Sequence, residues 1–177
     1  MNKVAKFEKV SYEQFKEAIE DFYVDNFSNF LDEYEIENIY NEIKLPKRST
    51  TGSAGYDFYN NTGIDLTLVS RETLKIPTGI RCKMDEGWVL VGVPRSGLGF
   101  KYRLQLDNSL AVIDEDYYYS DNEGHIFLKI TNDSKTLKSC DIEKGKAFAQ
   151  GIFLPYGITE DDDATGVRNG GFGSTDK

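Results

Sequence analysis

Apolar and polar residues alternate near the start of the chain, with Val4, Lys6, Glu8 and Val10 set against Ala5, Phe7 and Lys9, a period of two that predicts a short first strand within residues 1–10. At Ser11 the period changes. Tyr12, Phe15, Ala18, Ile19, Phe22 and Tyr23 recur at helical spacing, and Ser11 with Gln14 three residues later makes a capping box. Val10 and Phe15 take the staple positions, so a helix is expected near residues 12–23. Asp32 with Glu35 repeats the box, Leu31 with Ile36 repeats the staple, and Ile36, Ile39, Tyr40 and Ile43 form an apolar stripe that ends before Pro46. A second helix follows from these. The aromatic stripes on both helices read first as core packing.

From Lys44 onward the pattern is that of short β-rich runs divided by Gly, Pro, Asn and Asp. Strands are expected at 56–59, 71–76, 79–84, 88–93, 111–113, 125–131 and 147–155. Their number predicts an all-β sandwich or jelly roll. The acidic run 160–163 reads as a solvated linker, and the segment beyond it is too poor in apolar residues to form a core element. The chain thus divides into a first strand (1–10), a helical segment (11–43), a β domain (44–163) and a Gly-rich C-terminal arm (164–177).

Composition narrows the class. At 177 residues and 20.1 kDa, with 39% hydrophobic and 29% charged residues, the chain suits one folded domain and not a disordered one. It holds no apolar run of the roughly 20 residues that span a bilayer and no signal-peptide core, so a cytoplasmic protein without a membrane partner is expected. Cys82 and Cys140 lack the spacing of a zinc site and read as reduced thiols, while a single His125 argues against a His-dependent relay. Net charge is −9, and residues 1–43 alone, with 4 basic and 11 acidic residues, carry −7 of it. That acidity opposes binding to a nucleic-acid backbone, which needs a basic footprint. A free anionic nucleotide, needing only a few local cations and N–H groups, stays open.

Four segments carry candidate chemistry. The arm reads Arg168-Asn169-Gly170-Gly171-Phe172-Gly173-Ser174-Thr175: a cation, approachable amides, two hydroxyls and a ring, which together make parts of a phosphate cradle or a plain flexible tail. Pro94-Arg95-Ser96-Gly97-Leu98-Gly99 sets Arg and Ser beside glycines at a strand end, again suited to phosphate and equally to an ordinary turn. Between Asn108 and Tyr119 the apolar run Leu110-Ala111-Val112-Ile113 delivers the acidic run Asp114-Glu115-Asp116 to its end, with Tyr117 beside it. A carboxylate held there can serve as general base toward water, and the ring can pack on a sugar; the plainer reading is an acidic hairpin tip. Gly52-Ser53-Ala54-Gly55-Tyr56-Asp57 brings a further carboxylate out of a Gly turn, where it could orient water on Mg²⁺.

Taken in order, these segments resemble the trimeric dUTP diphosphatase (dUTPase) family over most of residues 44–177. Leu45-Pro46-Lys47-Arg48 leading into Ala54-Gly55-Tyr56-Asp57 matches the first family motif, Pro94 to Leu98 the second, Asn108 to Tyr117 the third, Gly145 to Gln150 the fourth, and Arg168 with Gly170 to Thr175 the fifth. The resemblance implies a jelly-roll-like homotrimer with active sites shared between subunits, each closed by a neighbour's arm, and Mg²⁺ on the triphosphate of dUTP. It assigns Asp114 as the base that activates water and Tyr117 as the ring under the deoxyribose. Asn108, Leu110, Ala111 and Ile113 match the uracil-reading hairpin, and Arg95, Ser96, Gly97 and Gln150 the phosphate contacts. Asp57 matches the holder of a Mg²⁺-bound water, and Arg168, Phe172, Gly173, Ser174 and Thr175 the closing arm. The products would be dUMP and pyrophosphate, which keeps uracil out of DNA.

The chain departs from the family pattern at several places. Ala111 stands where Gly is usual, Tyr118 to Glu123 lengthen the hairpin before Gly124, Ala147 replaces a frequent Arg, Arg168 lies one residue closer to Phe172, and Asp176 replaces a late Gly. The helical segment 11–43 resembles an insertion and would offer an acidic surface to a protein partner. Two other readings compete: a dCTP deaminase-like aminohydrolase, opposed by Lys129 standing where that family places a catalytic Glu, and a nucleotide-gated protein-binding regulator.

Overall fold

The structure, a computed structural model, describes residues 2–170. Among them are eleven strands, three α-helices and one short 3-10 helix, in the order β1 (Ala5–Lys9), α1 (Tyr12–Phe27), α2 (Glu33–Glu42), β2 (Tyr56–Tyr59), β3 (Leu66–Leu68), β4 (Thr73–Pro77), β5 (Ile80–Met84), β6 (Trp88–Pro94), α3 (Ser96–Tyr102), β7 (Leu104–Leu106), β8 (Ala111–Ile113), the 3-10 helix Glu115–Tyr119, β9 (Phe127–Asn132), β10 (Cys140–Ile142) and β11 (Ala147–Pro155). The strands form four antiparallel sheets, of which β2-β11-β6-β8 and β4-β9-β7 are the larger. The fold is mostly β-sheet with some helix.

Alternation sets the burial. In β9, Leu128, Ile130 and Asn132 point inward, and in β4, Leu74 and Ile76 meet Ile130 and Leu128 across the ladder. Phe58, Leu90, Ile113, Phe148 and Ala149 fill the core from the four-stranded sheet. The helices lay Phe15, Ile19, Phe22, Tyr23 and Ile36 on the same core, so they belong to the globule and are not an appended surface.

The helices keep most of their sequence signals, with one exchange. Asp32 and Glu35 form a complete capping box. Ser11 caps Gln14 N–H through its hydroxyl at 3.1 Å, but the Ser11 amide donates to Glu123 Oε2 at 2.8 Å; the return half of that box comes from 112 residues away and not from Gln14. α1 also runs to Phe27, four residues beyond the apolar stripe, and ends at Ser28 in a left-handed conformation.

Three strands of three residues each, β3, β7 and β10, were not marked by any run of β-formers, being too short to show a period. α3 carries Gly97 and Gly99, which argue for a turn; tertiary contact overrides them, with Gly99 N–H bonded to Arg95 O and Tyr102 buried. Acid-rich residues 115–119 wind into a 3-10 turn where an open hairpin tip was expected. No helix among the described residues is long and apolar enough to cross a membrane.

Candidate active site

The four-stranded sheet places the candidate residues in two groups at opposite ends of β6. At its C-terminal end, Arg95 Nε lies 3.4 Å from Asp57 Oδ1, and Gln150 is the ladder partner of both Asp57 and Val93. Asp57 is held by Ser49 Oγ at 2.9 Å and by its own amide, which donates to Lys47 O. Gly55 lies against the Gln150 side chain, where a Cβ would come within 2.4 Å of Oε1 and push the amide aside. Arg95 caps α3, and Ser96 and Gly97 follow it, exposed, in the first turn. Together these make a patch of one cation, one carboxylate, one amide side chain and free surface, which suits phosphate oxygens.

At the other end of β6 lies the second group. β8 pairs with β6 through Gly92↔Ala111, Val91↔Val112 and Leu90↔Ile113, so one step on brings Asp114 beside Val89. Glu115 Oε2 accepts the Gly87 amide at 2.8 Å and fixes the 3-10 helix to the start of β6. Asp114 is its cap residue, with a half-exposed carboxylate. Arg168 donates to Asp114, and through Nε to Asp116 Oδ1 at 2.8 Å, its guanidinium 5.8 Å from the centre of the Tyr117 ring.

Tyr117 is buried, 2% exposed. Its hydroxyl donates to His125 O at 2.8 Å and accepts from Asn122 Nδ2 at 2.9 Å, and burial raises its pKa above the usual phenol value. A sugar packed on this ring would take the place of the Arg168 guanidinium. His125 is fully buried; its Nε2 accepts the Gly79 amide at 2.9 Å, and desolvation pushes its pKa down to about 3, so the ring is neutral. It has a packing role, as expected of a lone core histidine.

The hairpin between the groups turns at Asn108 and Ser109, the latter at φ 64°. Asn108 and Leu110 are exposed at its tip, while Ala111 and Ile113 point into the core. A cleft of about 220 Å³ opens at its foot, with Asn108 and Ala111 on one side and Phe127, Leu128 and Lys129 on the other. Lys129 pairs with Asp107 at 3.0 Å and lines this cleft. A larger cleft of about 580 Å³ lies between α1 and the β4-β9 ladder and shares Lys75, Phe127 and Lys129 with it.

Sequence reasoning missed Asp116, Asn122 and Glu123. Asp116 was visible only as one of several acids, and the partners of Asn122 and Glu123 come from distant or folded-back chain that no local pattern marks. Phe172, Gly173, Ser174 and Thr175 lie outside the described residues. No cluster of three or more His, Cys, Asp or Glu suited to a metal occurs among the described residues.

A single Asp57 beside Arg95 and Gln150 fits Mg²⁺ brought by a triphosphate, since that ion is commonly held by substrate phosphates, water and one or two carboxylates.

Comparison with known proteins shows the family. The dUTPase family model matches residues 41–176, beginning as α2 ends. The deoxyuridine 5′-triphosphate nucleotidohydrolase of Lactococcus lactis is 42% identical over 136 residues, covering 75% of this chain and 88% of its own. That of Escherichia coli K12 is 34% identical, covering 75% and 87%. Among solved structures, the dUTPase of Streptococcus mutans superposes with a TM-score of 0.59 at 31% identity, over 87% of this chain and 98% of that one. The dUTPase of phage phi11 of S. aureus shares the fold at 22% identity, with a TM-score of 0.54 over 70% of this chain and 90% of its own. The family model over most of the chain and the 42% identity to the Lactococcus lactis enzyme lead to one conclusion: the chain belongs to the dUTPase family.

Proposed function

We propose that the protein hydrolyses dUTP to dUMP and pyrophosphate in a homotrimer whose sites combine Asp114 of one subunit with Asp57, Arg95 and Gln150 of another. The separation along β6 carries this reading. From Val89, beside Asp114, to Arg95 is six residues of extended chain, about 20 Å at 3.3 Å per residue. Asp114 must reach a water at the α-phosphorus, while Arg95 must reach the same triphosphate. One chain cannot hold both on one substrate.

In this arrangement uracil enters the cleft at the foot of the hairpin, read by Asn108 and the backbone from Leu110 to Ile113. The deoxyribose packs on Tyr117, whose ring leaves no room for a 2′-hydroxyl. Arg95, Ser96, Gly97 and Gln150 bind the phosphates. Asp57 would hold Mg²⁺ brought by the triphosphate, through water, and the ion would supply positive charge to offset that of the phosphates. Asp114 takes the proton of the attacking water as its oxygen bonds to the α-phosphorus; the bond to the bridging oxygen breaks, and pyrophosphate leaves with that oxygen. Arg95 is placed to stabilise the growing negative charge. Arg168 and the arm residues Phe172, Gly173, Ser174 and Thr175 close over the triphosphate and exclude bulk water.

Complementation tests the shared site. Asp114→Asn and Arg95→Ala chains, each inactive alone, are unfolded together and refolded as mixed trimers. Random mixing puts an intact Asp114 opposite an intact Arg95 in about a quarter of the sites. Recovery of that share of turnover supports the reading, and no recovery in trimers shown to be mixed would place the whole site within one chain.

A further inference from the structure

The segment Tyr118 to Glu123, which lengthens the hairpin after Asp114, is tied at both ends. Inward, Asn122 Nδ2 donates to the Tyr117 hydroxyl at 2.9 Å and to His125 O at 3.3 Å, while Asn122 Oδ1 accepts the Gly124 amide at 3.2 Å. The Tyr117 hydroxyl in turn donates to His125 O, so its proton and one lone pair are both engaged. Outward, the Glu123 carboxylate accepts the amide and the hydroxyl of Ser11 at 2.8 and 2.6 Å, and Tyr118 donates to Glu8 at 2.7 Å beneath the Arg81 guanidinium. The backbone between is committed too. Glu123 and Gly124 both have positive φ, and a Cβ at Gly124 would come within 2.8 Å of Tyr117 O.

The phenol of Tyr117 is thus clamped by a residue of the added segment, and that segment is braced against β1 and the N-terminus of α1. We infer that Asn122 is a positioning residue for sugar selection: it fixes the height and tilt of the Tyr117 ring, and through it the room left at the 2′ position of the nucleotide. The inference rests on the reading of Tyr117 as the ring beneath the deoxyribose. Physically, a ring free to tilt by rotation about its side-chain bonds opens space for one oxygen atom, and discrimination between a hydrogen and a hydroxyl depends on that space. Glu123 acts one step further out, holding the loop that carries Asn122.

The experiment measures kcat/KM for dUTP and for UTP in the full-length protein and in Asn122→Ala, Tyr117→Phe, Tyr117→Ala and the Asn122→Ala/Tyr117→Phe double variant, with melting temperatures alongside. Asn122→Ala is expected to lower the dUTP-over-UTP ratio by at least about threefold, chiefly by raising activity on UTP relative to dUTP. In the Tyr117→Phe background, where no hydroxyl remains to be held, the same substitution should leave the ratio unchanged. A general loss of structure would lower both substrates together. If Asn122→Ala fails to fold, Asn122→Leu, close in volume, carries the test, because it can neither donate to the phenol nor accept from it. An unchanged ratio in the Asn122 variants, with a ratio lowered by Tyr117→Ala, overturns the role of Asn122 and leaves the sugar reading standing. An unchanged ratio in Tyr117→Ala overturns both.

Discussion

Arg168 lies in an ionic fork between Asp116 and Asp114, its Nε 2.8 Å from the first, and so ties the C-terminal arm to the same chain's candidate base. Between Leu154 and Val167 every residue is exposed, so this fork is the main contact by which the described part of the arm meets the fold.

Truncation after Asp163 should therefore leave a folded, fully assembled protein with much reduced hydrolysis. Of the removed residues that the structure describes, Val167 is 84% exposed, yet Arg168 is among them. Melting temperature, sedimentation and turnover measured together check this. A truncated protein that dissociates would make the arm structural, and one with full turnover would end its role as a lid.

Asp114→Asn should retain dUTP binding and lose turnover by about 10² to 10⁴, the usual contribution of a general base. The side chain keeps its shape and its place at the head of the 3-10 helix and loses the capacity to take a proton, together with the charge that pairs with Arg168. Single-turnover kinetics beside equilibrium binding separate the two effects. Turnover within about threefold of the parent, roughly 0.7 kcal/mol of barrier, would remove Asp114 from that role.

Gly92→Ala should destabilise the protein by about 1–2 kcal/mol, because its new Cβ would stand 3.0 Å from the Cβ of Ala111 in a closed ladder. Ala111→Gly in the same chain should recover most of that loss. Chemical denaturation of the two single variants and the pair reads the coupling directly; simple additivity would show that the two methyl groups do not meet. The pairing also shows how the hairpin accommodates the Ala111 methyl group: Gly92, opposite it, leaves the room.

Acidification should weaken the fold before the carboxylates titrate. His125 has a folded pKa of about 3 against an ordinary 6.5, so the unfolded chain binds its proton first. Its contribution is complete above about pH 6.5 and falls as the pH drops toward 3, by up to about 1.4 kcal/mol per unit. His125→Gln, which keeps an acceptor for Gly79 N–H, should flatten the stability profile between about pH 6.5 and 5. A slope unchanged by the substitution would assign the effect to other groups. Glu8, held down to about 2 by its bonds from Lys6 and Tyr118, acts in a lower window, between about 4.5 and 2.

Much of this molecule could be read from local pattern. The strands 56–59, 111–113 and 147–155 stand at their expected boundaries, and both helices begin at their expected caps. What sequence could not show is set by contacts across long separations. α3 forms despite two glycines because Tyr102 is buried, and the Ser11 box is closed by Glu123 and not by Gln14. The site was legible as motifs and not as geometry. Nothing in the spacing of Arg95 and Asp114 along the chain reveals that β6 holds them at its two ends, because that depends on the register of β8 against β6.

The bond from Ser11 to Glu123 also bears on the order in which the chain becomes structured. The first turn of α1 can form early, since Ser11 Oγ needs only Gln14. The Ser11 amide finds its acceptor only after 112 residues have been brought round and the loop before Gly124 has closed. Such a contact adds to the contact order that slows folding, and it ranks the Ser11 amide with the late-forming parts of the molecule. Its hydrogen exchange should accordingly track opening of the hairpin loop, while the amides one turn further into α1 track the helix alone. One proton would then time the moment at which the helical layer and the catalytic loop become a single body.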